Sequence, residues 1–182
     1  MNKFFSLILL LLIAPVLFFI IIIIFIDDGL PVFFKQKRVG KHNKNFWIYK
    51  FRTMKKETPN LPTHQLTDTS SYYTKHGRIL RKLSLDELPQ LINILKSEMV
   101  FIGPRPALHT QYDLIDLRTE KNIHKLYPGV TGWAQVNGRD NLSINQKVKM
   151  DLYYKINKSF FLNCKIVYLT FLKVFKSEDV SI

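Results

Sequence analysis

The chain opens on 23 uncharged residues, Phe4 to Ile26, almost all Leu, Ile and Phe. At about 1.5 Å of rise per residue such a helix reaches roughly 34 Å, enough for a hydrocarbon core of about 30 Å. A secretory signal is disfavoured, because its apolar region usually spans about 7–15 residues and ends at a small-residue cleavage site; here "IDDGLP" follows. Pro15 removes a backbone donor and clashes with the preceding turn, so a kink is expected. Lys3 and the amino terminus flank one end, and Lys35, Lys37, Arg38 and Lys41 the other. Positive charge favours the cytoplasmic face, so two topologies follow: a bent, re-entrant helix with both ends on one face, or a kinked spanning helix.

Beyond this segment the periodicity shortens. "VFFKQKRVG" and "NFWIYKF" are aromatic and β-branched runs around the polar "KHNK", the pattern of a hairpin. Residues 57–77 are polar with two prolines and read as a loop. Leu88, Leu91, Ile92 and Leu95 then keep helical spacing, which predicts a helix to about Lys96. "PGVTGWAQVNGRD" predicts ordered but irregular backbone. Ile144, Val148 and Leu152 mark one face of a further helix, and Asp151 falls on the same side, where a carboxylate requires a partner or a function. From Phe160 to Lys176 one side carries Phe160, Cys164, Val167, Phe171, Val174 and Phe175, and another Lys165, Lys173 and Lys176. That is either an amphipathic helix at a membrane surface or a core-packing helix with a solvated edge. Together the elements predict an α+β, mostly helical fold with a small hairpin.

Charge narrows the partners. Only Lys3, Asp27 and Asp28 precede residue 31, so residues 31–182 carry 26 basic against 12 acidic side chains. Such a balance implies an anionic partner: nucleic acid, an acidic membrane surface or a phosphorylated substrate. No nucleic-acid recognition motif accompanies it. The single cysteine, Cys164, excludes an intrachain disulfide. His42, His64, His76, His109 and His124 lack metal-site spacing and read as loop or surface residues.

Against this basic background "LSLDELPQL" places Asp86 and Glu87 side by side. Ser84 and Glu87 have capping-box spacing and Pro89 suits a first helical turn, so both acids are expected at a helix N-terminus. Exposed N–H groups there favour an ionised carboxylate and can also hold a phosphate; an ionised aspartate is a nucleophile or a metal ligand. Acids in a first turn commonly do no more than complement the helix dipole. Here Arg81 precedes the pair and "GPRP" follows, with Arg105 stiffened by two prolines. Arginine suits bidentate phosphate binding, and acids with arginines at one helix start suit a metal-bridged diphosphate.

The string "RKLSLDELPQLINILKSEMVFIGPRP", with "FFKQKRVG", "YKFRTM" and "PGVTGWAQVNGR", closely resembles the monotopic phosphoglycosyl transferases, bacterial sugar transferases that begin glycan assembly on polyprenol phosphate. The likeness runs from the apolar segment to the tail. It implies a re-entrant membrane helix over residues 1–30 and a catalytic domain over 31–182 on the cytoplasmic face of the bacterial inner membrane, resting on anionic membrane lipids. It also implies transfer of a sugar-1-phosphate from a UDP-sugar to undecaprenyl phosphate, with UMP released. In that family Asp86 would be the nucleophile, forming a covalent phosphosugar aspartate, and a ligand to Mg2+; Glu87 would orient the pair. Arg81, Arg105, Arg139 and Asp151 fall on family positions for nucleotide-sugar or phosphate binding. Lys50 and Arg52 of "KFRT" lie towards the membrane-facing side of the site, as catalytic groups or as cations for lipid headgroups.

Three positions depart from the family pattern: Ala14 before Pro15 and Leu83, where hydroxyl residues are frequent, and "ALHTQYDL" after "GPRP", which lacks acids often found there. None touches the pair. The resemblance leaves the sugar open among acetamido and deoxyamino sugars, glucose, galactose and N-acetylglucosamine, and a monomer or a homodimer is equally compatible with it. The alternative to an enzyme is a membrane-anchored basic scaffold or adaptor.

Overall fold

The computed structural model describes residues 2–58 and 70–176. The readings of residues 59–69, which include His64 and most of the predicted loop, lie outside the described residues, as do the side chains of Phe175 and Lys176. Helix α1 (Asn2–Asp28) runs without a break in helical assignment through Pro15, and it is the one helix among the described residues long and apolar enough to cross a membrane.

The expected hairpin is β1 (Phe33–Val39) against β2 (Asn45–Phe51), antiparallel with Phe34 opposite Lys50 and Val39 opposite Asn45. A two-residue strand, β4 (Ala107–Leu108), adds to the other edge of β1. A second, parallel pair joins β3 (Val100–Ile102) to β5 (Gly129–Thr131). These three strands are too short to carry an alternating pattern, and β5 lies in the segment that reads as irregular. The parallel pair needs close backbone approach: a Cβ on Gly129 would stand 2.1 Å from the Gly103 nitrogen.

The remaining helices are α2 (Gly77–Lys82), α3 (Gln90–Leu95), α4 (Tyr112–Glu120), α5 (Trp133–Val136), α6 (Ile144–Asn157) and α7 (Phe160–Lys176). Ser143 and Gln146 form the capping box of α6. The one expected at Ser84 and Glu87 does not form: Ser84 adopts a left-handed conformation with φ 55° and makes no side-chain cap. Its N–H bonds the Arg81 carbonyl, so it ends α2 from the position where glycine is common. Asp86 and Glu87 therefore lie in a separate 3-10 turn, Leu85–Glu87, ahead of Pro89, which caps α3.

Helix α1 lies along the domain. Leu10 and Ile13 pack against Phe46, Ile48, Leu91 and Ile94, while Ile20 and Ile24 pack against Val32, Phe51 and Leu80. Near its start the fully buried Ser6 donates from Oγ to the Leu91 carbonyl at 2.8 Å. At its end Asp27 accepts from the His76 N–H at 2.9 Å, and Asp28 pairs with Arg52 at 3.0 Å. His76 is thus a tie between α1 and α2. The outward side of α1 exposes Phe4, Leu11, Leu12, Phe18, Phe19 and Ile26.

Helix α7 decides between its two readings by showing both surfaces. Ile166, with Leu162 and Leu169, enters the core beside Val136 and Tyr154, and Thr170 meets Thr131. Of the apolar stripe read from the sequence, Phe160, Val167 and Phe171 are exposed, as is Cys164, while Val174 turns inward to line a cavity. An exposed apolar stripe of this kind suits a membrane surface or a protein partner.

Candidate active site

Strand β2 delivers Lys50 to the acid pair because Asn93 ties β2 to α3. Asn93 is buried in α3, accepts from the Tyr49 N–H at 3.1 Å and donates to the Trp47 carbonyl at 2.7 Å. Lys50 Nζ then lies 2.7 Å from Glu87 Oε1 and 4.0 Å from Asp86 Oδ2. Arg105, from the "GPRP" turn between β3 and β4, reaches the same Glu87 oxygen at 3.1 Å.

The two acids are unequally held. Glu87 is clamped by two cations at hydrogen-bond distance, whereas among the described residues no hydrogen bond engages the Asp86 carboxylate. Their titration diverges accordingly. Burial opposes ionisation of Glu87, yet Lys50, Arg105 and Arg139 hold it well below the ordinary glutamate value. Burial dominates at Asp86, only 6% exposed, and pushes it above the ordinary aspartate value against the pull of Lys50, Arg81 and Arg105. Burial lowers Lys50 in turn, offset by the two acids. Neighbouring acids driven apart in this way are a pattern that functional sites use.

Of the residues singled out from the sequence, Lys50, Arg81, Arg105 and Arg139 are gathered around Asp86 and Glu87. Arg81 of α2 also lies over the Tyr73 ring, 5.7 Å from its centroid. Arg139 and Arg105 line the same cavity as Glu87. Two residues are not presented there. Arg52 is buried and donates to the carbonyls of Asp28 and Gly29 at 2.9 and 2.8 Å, so it anchors the end of α1. Asp151 is 1% exposed and pairs with Arg118 through Nε at 2.9 Å and Nη2 at 2.5 Å; burial raises it despite that partner.

Arg118 escapes the sequence reading. Its Nη1 donates to the Arg105 carbonyl at 2.8 Å, so the buried pair fixes the turn that presents Arg105. A signal exists: Arg118 follows Leu114 by four residues on the apolar side of α4, as Asp151 sits on the apolar side of α6, and opposite charges on two apolar faces call for each other.

Among the described residues no group of three or more His, Cys, Asp or Glu side chains could hold a metal ion. Mg2+ needs no such cage, since it is typically bound by one or two carboxylates with substrate phosphates and water. The Asp86 carboxylate, beside the clamped Glu87, fits that donor set.

If Asp86 attacks as the ionised carboxylate, as the resemblance implies, activity is expected to fall as pH drops through a value above that of an ordinary aspartate. Lys50 favours the ionised form, so Lys50→Met should move this acid limb to still higher pH. A pH profile of kcat/KM tests this; an unmoved limb would show that Lys50 does not set Asp86 ionisation.

A buried pair of carboxylates among four cations thus lies on a fold whose helices α1 and α7 turn apolar residues outward. A family model described as bacterial sugar transferase matches residues 1–177, and the chain belongs to that family, as the resemblance to phosphoglycosyl transferases implied. It is 49% identical over 154 residues to the uncharacterized sugar transferase EpsL of Bacillus subtilis, covering 84% of this chain and 74% of that one. It is also 41% identical over 156 residues to the UDP-glucose:undecaprenyl-phosphate glucose-1-phosphate transferase of Escherichia coli. The UDP-N-acetylgalactosamine-undecaprenyl-phosphate N-acetylgalactosaminephosphotransferase of Aeromonas hydrophila is 40% identical over 145 residues. Those two alignments cover 81% and 77% of this chain but 33% and 34% of the relatives, so the chain spans about a third of their length.

Proposed function

We propose that the protein transfers a sugar-1-phosphate from a UDP-sugar to undecaprenyl phosphate, releasing UMP, as the first membrane step of bacterial glycan assembly. The observation that carries this reading is the asymmetry of the acid pair: Glu87 is locked by Lys50 and Arg105, while Asp86 is buried and unlocked. A carboxylate that has lost its water without gaining strong hydrogen bonds is the better nucleophile.

In the first step an Asp86 oxygen attacks the sugar-bearing phosphorus. The bond to the UMP oxygen breaks, and UMP leaves with that electron pair. In the second, a phosphate oxygen of the lipid attacks the same phosphorus and expels the Asp86 carboxylate, giving the diphosphate-linked sugar lipid. Glu87 keeps Lys50 and Arg105 in place, and Arg81, Arg105 and Arg139 neutralise the phosphates. Mg2+ held by Asp86 would neutralise further diphosphate charge.

The contacts of α1 support a placement of the domain on one membrane face. From Ser6 to Ile24 the helix covers about 27 Å, and it touches the domain at both of those residues. A helix spanning the bilayer would drag that side of the domain, with Arg52 and the acid pair near it, into hydrocarbon. A re-entrant helix with both ends on the cytoplasmic face of the inner membrane avoids this, and the basic domain is then drawn to anionic lipids. Single cysteines placed at residues 2 and 29 of a Cys164→Ser chain are both expected to be labelled from the cytoplasmic side of oriented vesicles; labelling of residue 2 from the opposite side only would establish a spanning helix.

The reaction is tested by UMP release from a panel of UDP-sugars with undecaprenyl phosphate and Mg2+ in nanodiscs. Release with at least one donor is expected. Folded, membrane-bound protein that releases none across a broad panel would favour the scaffold.

A further inference from the structure

Tyr73 is buried, with 6% of its surface exposed, and the guanidinium carbon of Arg81 lies over its ring, 5.7 Å from the centroid. That is within the reach of about 6 Å at which a ring face attracts a cation. The strand that delivers Lys50 also fixes the main chain of this tyrosine. Just past the end of β2, Met54 pairs with Tyr73 in an antiparallel bridge. The Lys55 N–H donates to the Tyr72 carbonyl at 2.8 Å, and the Thr74 N–H to the Thr53 carbonyl at 3.1 Å. Gly77, which opens α2, closes the same contact, since a Cβ there would collide with the Thr53 carbonyl. One stretch of chain, residues 50–55, therefore sets Lys50 against Glu87 and the Tyr73 ring against Arg81.

Burial pushes the Tyr73 phenol above its ordinary value; Arg81 opposes the rise and Asp86 adds to it. The ring that faces Arg81 is thus neutral, and it attracts the guanidinium without cancelling its charge. Glu87 acts differently on Lys50 and Arg105, which meet its negative charge at hydrogen-bond distance. Arginine grips phosphate oxygens through paired N–H donors on a rigid plane, and its long side chain gives up rotamer freedom to do so. A fixed ring restricts that freedom before any phosphate arrives, which lowers the cost of binding.

We propose that Tyr73 is a positioning residue: its ring holds the Arg81 guanidinium at the acid pair with its charge intact, so that Arg81 meets the donor's diphosphate in a set orientation. This role rests on the function proposed above. The ring does for Arg81 what Glu87 does for Lys50 and Arg105, without the opposing charge.

The test is isothermal titration of UDP, which carries the donor's diphosphate, into the full chain in nanodiscs with Mg2+. Residue 73 is varied as Tyr73→Phe and as pentafluorophenylalanine, which nearly keeps the ring's shape but reverses the charge distribution of its face. Each is made alone and together with Arg81→Gln. Tyr73→Phe should bind UDP as wild type does, and the fluorinated ring roughly 2- to 30-fold more weakly, the range of a cation–ring contact. In the Arg81→Gln background the two rings should bind alike, because the ring acts only through the guanidinium. Equal affinities for the two rings with Arg81 present would overturn the proposal. So would weakened binding in Tyr73→Phe, which would assign the effect to the hydroxyl, or a difference that persists with Arg81→Gln, which would assign it to packing. Wild type that binds no UDP would sink the proposed function and this role of Arg81 together, whereas UDP binding that ignores the ring sinks the part of Tyr73 alone.

Discussion

Asp86→Asn is expected to reduce UMP release by at least about 10³-fold, the scale of loss when a covalent nucleophile is removed, while leaving the fold and membrane binding intact. Asparagine has the same shape, and its neutral amide removes a buried charge that burial already disfavours, so the melting temperature should hold or rise. Glu87→Gln is a useful contrast. It takes away the carboxylate that Lys50 and Arg105 share, so it should lose activity and stability together. Assaying the two variants with melting curves separates a nucleophile from a clamp. Normal turnover by Asp86→Asn would remove the covalent mechanism altogether.

Arg118→Met is expected to destabilise the protein by about 3–5 kcal/mol, because it strands Asp151 as a buried, unpaired charge at 1% exposure. Replacing both partners, Arg118→Met with Asp151→Leu, should restore most of that loss, since a buried pair exchanged for apolar residues is often neutral. The two routes part at the active site. The double variant still lacks the hydrogen bond from Arg118 to the Arg105 carbonyl, so Arg105 loses its support and turnover should stay roughly 10- to 100-fold low, as misplaced positioning groups do. Denaturant melts with kcat and KM for the single and double variants check this. Full activity in a stable double variant would show that the buried pair serves packing alone.

Much of the site is legible in the order of residues alone. The adjacency of Asp86 and Glu87, the preceding Arg81 and the proline-flanked Arg105 are all local features, and each of these residues is found at the pair. The hairpin and the extents of α3 and α7 are legible for the same reason, since alternation and helical spacing reflect which face of a local backbone is buried. Legibility ends where a local cue has two solutions. Serine three residues before glutamate suits a capping box, yet Ser84 closes the preceding helix instead. Lys50 and Arg52 stand two residues apart in one motif, yet one meets Glu87 and the other the end of α1, because β2 ends between them at Phe51.

By itself, then, the sequence determined the membrane-seeking segment, the hairpin, the main helices, the basic balance and the acid pair with its flanking arginines. All of these are written along a few turns or one strand. Only the tertiary structure decided which acid is clamped and which is unlocked, that Asp151 belongs to Arg118 across 33 residues, and that most of the described stripe of α7 faces outward while Val174 turns into a cavity with Arg105 and Arg139. Those outcomes depend on how distant faces dock and on what burial does to each charge, and no periodicity along the chain records either.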